Sequence, residues 1–223
     1  MADQGKHPGR LIAIDGSRGK DNAAGAAAVI GALEAAGVEC AVSRWDASGL
    51  FGELAAAAEG DRHISTRTLT LVYAADLAFR LRWEIRPVLE AGGVVVAAPY
   101  VETAIAFGAA CGLTEQWVRQ LLRFAPPADV RGRAQERKLD RGWKPRIDRG
   151  YPEYCAAMLE ASAAPKLTTR KARREAMAVL DQPRGRRVFR LSEKGVYGLV
   201  KAVISSRKAA ASRSGATPRS GRT

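Results

Sequence analysis

Apolar residues open the chain as a short unbroken run, Leu11-Ile12-Ala13-Ile14, and then recur at helical spacing. An uncharged apolar run of this length suits a strand buried on both faces, as in a parallel sheet. Ala23–Ala36 sets Val29, Ile30 and Leu33 on one stripe, which predicts a helix stopped by Gly37. Val38–Ser43 predicts a second strand, so the chain begins with a βαβ unit. Asp46–Gly49 reads as a turn and Leu50–Glu59 as a helix. From Thr66 to Ala91, the residues Leu69, Val72, Tyr73, Leu77, Leu81, Ile85 and Leu89 recur at threes and fours. That spacing predicts one long helix, with Pro87 near its close and Gly92-Gly93 after it. Val94–Ala98 is rich in valine and uncharged, and is the best candidate for a central strand.

Helical patterns follow at Val101–Cys111 and Thr114–Arg123, and Leu121–Ala125 is a candidate short buried strand before Pro126-Pro127. The segment Asp129–Arg149 is charged. Pro152–Ser162 and Thr168–Leu180 read as helices, Arg187–Leu191 alternates like an edge strand, and Glu193–Ser205 reads as a last amphipathic helix. These elements predict an α/β fold in three layers, a parallel sheet flanked by helices, with residues 10–205 as one domain. Residues 1–9 read as a flexible start. Residues 206–223 lack any large apolar side chain and read as a disordered basic tail.

Composition narrows the function classes. With 223 residues, 47% of them hydrophobic, the chain can bury a sizeable core, although aromatic residues are only 6%. Trp45, Trp83, Trp117 and Trp143 are among its few large anchors. No run approaches the ~20 apolar residues of a membrane span, and Lys6–Arg10 leads into no leader-like apolar stretch. Cys40, Cys111 and Cys155 are odd in number and lack metal spacing, and the only histidines are His7 and His63. No metal ligands are assigned, and the expectation is a cytoplasmic protein without membrane association. The net charge of +13 is unevenly placed. Residues 1–130 hold 12 Lys/Arg against 15 Asp/Glu, and residues 131–223 hold 24 against 8. The basic character therefore belongs to the back of the chain. There Arg170, Lys171, Arg173, Arg174, Arg184, Arg186, Arg187 and Arg190 form a cationic arm with Arg207, Lys208, Arg213, Arg219 and Arg222. Such an arm suits nucleic acid or an acidic partner, or is a solvated tail.

The candidate chemistry lies in Gly16-Ser17-Arg18-Gly19-Lys20-Asp21-Asn22-Ala23, between the first strand and first helix. A Gly-spaced turn there has the layout of a phosphate-binding loop, in which backbone N–H groups and a helix N-terminus cradle an anion. Other segments carry a resemblance in the same order. Leu71-Val72-Tyr73-Ala74-Ala75-Asp76 is followed by Ile85-Arg86-Pro87-Val88-Leu89, Gly92-Gly93-Val94-Val95-Val96 and Ala98-Pro99-Tyr100-Val101-Glu102-Thr103. Ala125-Pro126-Pro127-Ala128-Asp129-Val130 then leads to Gln135-Glu136-Arg137. Over roughly residues 11–160 the chain resembles the thymidylate kinase family of P-loop nucleoside monophosphate kinases.

The resemblance implies that fold, a site for nucleotides and a homodimer, and it also exposes the departures. The spacing Gly-x-x-Gly-x-Gly-Lys-Ser keeps Gly16 and Gly19, but places Asp21, Asn22 and Ala23 where the family has Gly, the phosphate-binding Lys and the magnesium-binding hydroxyl. Ala98-Pro99 stands where the family has the Asp-Arg of its Asp-Arg-Tyr motif, with Tyr100 kept. Leu77 replaces an Arg. Arg44 is kept after the second strand, and Tyr73 takes the place of a base-stacking Phe. The candidate anion site is therefore Gly16, Ser17, Arg18, Gly19, Lys20 and Asn22, with an acceptor site at Arg44, Tyr73 and Tyr100. Arg141, Arg146 and Arg149 are candidate lid residues. Each has a plainer reading: Tyr73 as core, Arg44, Arg18 and Lys20 as loop cations, and the arginines as a solvated helix. No catalytic residue is assigned. The leading expectation is a catalytically inactive binding or regulatory protein with weak nucleotide or anion affinity. The alternatives are an active divergent nucleotide kinase, which needs ATP and magnesium, and a basic nucleic-acid-associating protein.

Overall fold

The computed structural model of the chain describes residues 9–16, 19–45, 47–50, 53, 65–134, 177–183 and 185–214. Among these, β1 (Arg10–Asp15), β2 (Cys40–Arg44), β3 (Val94–Ala98), β4 (Val130–Arg133) and β5 (Val188–Arg190) form one sheet in the order β2-β3-β1-β4-β5. All four pairings are parallel. β3 is interior, between β2 and β1, and the middle place belongs to β1. The β-branched run at Val94–Ala98 thus marks a buried strand, as expected, one position from the centre.

Strand alternation divides the core in two. Ile12, Ile14, Val94, Val96, Ala98 and Phe189 pack against α1 (Gly19–Ala35) and α6 (Glu193–Ser214), where Val29, Leu33, Leu199 and Val203 are buried. Leu11, Ala13, Val95 and Ala97 pack against the opposite layer. That layer holds α2 (Thr66–Arg80), α3 (Arg86–Glu90), α4 (Val101–Ala110) and α5 (Glu115–Leu121). Burying a Leu or Ile side chain in such a layer contributes about 1.5–3 kcal/mol. The three-layer parallel α/β architecture is the one the hydrophobic pattern predicts.

Several boundaries differ, each for a physical reason. α1 starts at Gly19, four residues before its expected start at Ala23, because its first turn is polar and carries no apolar signal. The long helix expected over 66–91 is continuous but contains a π-helical turn at Leu81–Ile85, between α2 and α3. Pro87, at the start of α3, lacks an N–H and its ring would crowd the carbonyl four residues back, and the wider turn lies just before it. The buried strand expected at Leu121–Ala125 is not there: those residues end α5 and turn, with Arg123 and Phe124 exposed. The strand is β4, Val-Arg-Gly-Arg, from a segment read as solvated charge. α6 runs to Ser214, nine residues past its expected end. Arg10 holds this extension to β1, its Nε donating to Ser206 Oγ and its Nη2 to the Ser206 carbonyl, both at 3.0 Å. The helices expected at Leu50–Glu59, Pro152–Ser162 and Thr168–Leu180 lie outside the described residues, apart from positions 50 and 53 and a helical turn at 177–181. Residues 1–8 and 215–223 also lie outside them.

Candidate functional site

The chain leaves β1 for β2 on one side of the sheet, while β4 lies on the other. In an open parallel sheet a crevice forms at such a switch, outside the carboxyl ends of the strands. Four strand ends meet there: Gly16 after β1, Trp45 after β2, Pro99-Tyr100 after β3 and Ala134 after β4.

Asp15 ends β1 and ties two of these segments together. Its Oδ1 accepts from Tyr100 N at 2.9 Å, Thr103 N at 3.0 Å and Thr103 Oγ1 at 2.8 Å. A side chain from the sheet thereby satisfies N–H groups at the start of α4 that have no partner within the helix. Burial pushes the Asp15 carboxyl above the usual carboxylate range, and nearby Glu102 adds to this, while the bonds from Thr103 and Tyr100 act the other way. The chain leaves Asp15 at Gly16, where a side chain would collide: a Cβ on Gly16 would lie 2.2 Å from Asn22 Oδ1 and 2.8 Å from Ala134 Cβ. The side-chain amide of Asn22 therefore packs back on the loop's first glycine. Asn22 is 1% exposed and Asp21 8% exposed, whereas Ala23 faces solvent. Gly19 and Lys20 form the start of α1, and Ser17 and Arg18 lie outside the described residues.

Of the three residues expected at an acceptor site, the structure brings Tyr73 and Tyr100 together and leaves Arg44 apart from them. Tyr73 is fully buried on α2 and donates its hydroxyl to the Tyr100 carbonyl at 2.6 Å. Tyr100 donates its own hydroxyl to the Pro126 carbonyl at 2.7 Å. Burial pushes both phenols well above their ordinary value, so each stays a neutral donor. The ring of Trp45 stacks on Tyr73, with centroids 5.0 Å apart and planes at 26°. Arg44 ends β2 with an exposed side chain.

Behind this pair lies a cation that the sequence reading did not single out. Arg80 is completely buried. Its Nε donates to Ser43 Oγ at 2.9 Å, and its Nη2 donates to the Ser43 carbonyl at 3.0 Å and the Pro99 carbonyl at 2.8 Å. Nη1 lies 3.9 Å from Asp76 Oδ2, one helical turn earlier. Asp76 Oδ1 in turn accepts from Ser48 N and Ser48 Oγ. The guanidinium thus joins α2, β2 and the carbonyl of Pro99, the residue that follows the cis Ala98–Pro99 bond. The signal was present in sequence as Asp76 and Arg80 at i,i+4 beside the buried stripe.

The arginines of β4 also turn inward. Arg131 Nη2 lies 3.8 Å from Glu102 Oε1 and its Nη1 donates to the Gln182 carbonyl at 2.9 Å. Arg133 pairs with Asp181, and its Nη2 lies against Met177 Sδ. Glu102 is held as well by Arg119 Nη2 at 3.0 Å. Two members of the expected charged segment are therefore structural, pinning residues 177–182 to the sheet. Arg141, Arg146 and Arg149 lie outside the described residues. Among the described residues no group of three His, Cys, Asp or Glu is placed to hold a metal ion, and no helix is long and apolar enough to cross a membrane.

No protein-family model matches the chain. A probable thymidylate kinase of Pyrococcus abyssi is 38% identical over 72 residues, covering 32% of this chain and 35% of that protein. A thymidylate kinase of Rhizorhabdus wittichii is 32% identical over 119 residues, 51% of this chain and 57% of its own. The matches thus span about a third and somewhat over half the length of these curated relatives. In structure, a crystallised thymidylate kinase from Ehrlichia chaffeensis superposes with a TM-score of 0.60 at 13% identity, covering 88% of this chain and 98% of that one. That likeness shows the fold, a P-loop nucleoside monophosphate kinase architecture. In fold and in its matching segments, the chain is thymidylate kinase-like.

Proposed function

We propose that this thymidylate kinase-like chain has lost phosphoryl transfer and acts by binding, as a scaffold or regulator, with weak nucleotide or anion affinity at most. The observation that carries the reading is the start of α1. Asn22 packs against Gly16, and Asp21 is buried beside it, at the positions where a working loop presents a lysine and a glycine. The residues present do not fit a nucleoside triphosphate with magnesium. A carboxylate replaces the glycine that lets phosphate approach, a neutral amide replaces the cation, and Ala23 offers no hydroxyl to the metal. The acceptor side supports the same reading, since Ala98-Pro99 supplies neither carboxylate nor guanidinium and Trp45 covers a face of Tyr73. Losing one preorganised donor at a charge-developing site costs about 100- to 1000-fold, and phosphoryl transfer depends almost wholly on such positioning. A cytoplasmic location and a homodimer accompany this reading, and the second is supported by Leu71, Phe79 and Trp83, which α2 and its π turn leave exposed.

A coupled assay with ATP, magnesium and each nucleoside monophosphate at high protein concentration tests it. The expected result is no turnover above background. Magnesium-dependent turnover that disappears in Asn22→Ala or Lys20→Ala would establish the divergent-kinase alternative instead.

A further inference from the structure

α6 buries one face and leaves the opposite one open. Val196, Leu199, Val200 and Val203 pack toward the sheet. At 100° per residue, the outward side carries Lys194, Lys201, Ser205, Lys208 and Ser212, with Tyr197 on its flank. All six are exposed, and Tyr197, at 69%, is the most exposed large apolar side chain among the described residues. No carboxylate interrupts this stripe, because the one acidic residue of α6 is Glu193, in its first turn. Arg187, beside β5, continues the cationic surface. Its guanidinium lies 4.8 Å over the Phe189 ring, and that ring packs against Gly198, the neighbour of Tyr197.

We propose that this stripe is a docking face for single-stranded nucleic acid, with Lys194, Lys201 and Lys208 along the phosphate backbone and Tyr197 as a stacking platform for a base. The three lysines repeat every seven residues, so they form a straight cationic row about 21 Å long at 1.5 Å per residue. A row of cations with an aromatic ring between two of them is the combination by which proteins hold unpaired strands without reading sequence. A lipid surface fits poorly, because a helix lying in a membrane interface must insert its apolar face, and here that face is already in the core. The structure also moves the sequence-level suggestion of a basic partner-binding tail: residues 206–214 extend a folded helix, and the lysines have fixed spacing on it. This inference concerns the opposite layer from α2 and stands independently of the proposed loss of phosphoryl transfer.

The test uses the full chain and a fluorescein-labelled oligothymidylate, followed by anisotropy across a salt series. Wild type should bind with log K falling linearly against log salt. Lys194→Glu/Lys201→Glu/Lys208→Glu should weaken binding at low salt at least 100-fold and flatten the slope by about 2, at roughly 0.7 per lost phosphate contact. Tyr197→Ala should weaken it about tenfold while leaving the slope unchanged. Arg67→Glu/Arg82→Glu/Arg86→Glu, three exposed cations in the other layer, changes the net charge equally and should bind within about threefold of wild type. Equal losses in the two triple variants, or a Lys triple variant that binds like wild type, would overturn the proposal. Competition by polyglutamate as strong as by oligothymidylate would overturn it too, assigning the face to acidic protein segments.

Discussion

Replacing Arg80 with methionine is expected to destabilise the fold by about 3–5 kcal/mol, the range for breaking a buried, hydrogen-bonded charge by removing one partner. Methionine matches the aliphatic stem but not the guanidinium, so lost packing at the fork adds to the electrostatic and polar loss. Methionine leaves the Ser43 and Pro99 carbonyls without the donor that now serves them and Asp76 without its buried counter-charge, at a position that is 0% exposed. Each such orphaned group costs about 1–3 kcal/mol. Arg80→Lys should recover only part of this, because an ammonium cannot reproduce the fork that spans β2 and Pro99. Urea denaturation gives the number, and a loss below about 1 kcal/mol for Arg80→Met would show that these bonds do not hold the three segments together.

Asp15 gives the second large effect, and its two variants should diverge. Asp15→Ala removes the shared acceptor of two buried backbone N–H groups and a hydroxyl, and should cost about 2–5 kcal/mol. Asp15→Asn keeps an oxygen for those donors without a buried charge, and should be at least as stable as wild type at neutral pH. The pH dependence has a definite sign. Because burial raises the native pKa above the unfolded value of 3.8, the folded state binds the proton more tightly. Stability from this group is complete below the unfolded value and declines as pH rises through the native one. The advantage of Asp15→Asn over wild type should therefore widen upward from about pH 3.8 and then level off. Denaturation midpoints of the pair across this range measure it, and an advantage that grows on acidification instead would contradict the assignment.

These two residues also mark the limit of what the sequence makes legible. Leu11–Ile14 and Val94–Ala98 announce themselves because a strand buried on both faces needs an uncharged run, and the edge strand at Val188–Arg190 shows its alternation. β4 hides because Arg131 and Arg133 look like solvated charge until Glu102 and Asp181 are seen to meet them. The last turns of α6 hide because alanine, serine, lysine and arginine carry no apolar stripe, although Arg10 fastens them from far along the chain. In the candidate site, Gly16, Asn22, Tyr73 and Tyr100 are legible through spacing and resemblance. Asp15 and Thr103 are not, because their partners come from other elements and local pattern carries no trace of them, while Arg80 shows locally only its i,i+4 spacing from Asp76. Trp45 lies between these cases: it adjoins Arg44 in sequence, but only the fold places its ring on Tyr73.

The proposed loss of nucleotide binding rests on the first turn of α1, where the Asn22 side chain packs on Gly16 and Asp21 is buried next to it. Calorimetric titration of the full chain with ATP, with and without magnesium, tests this most directly. No saturable binding tighter than about 1 mM is expected in either condition. Magnesium-dependent binding in the micromolar range, where nucleotide-using enzymes work, would contradict it.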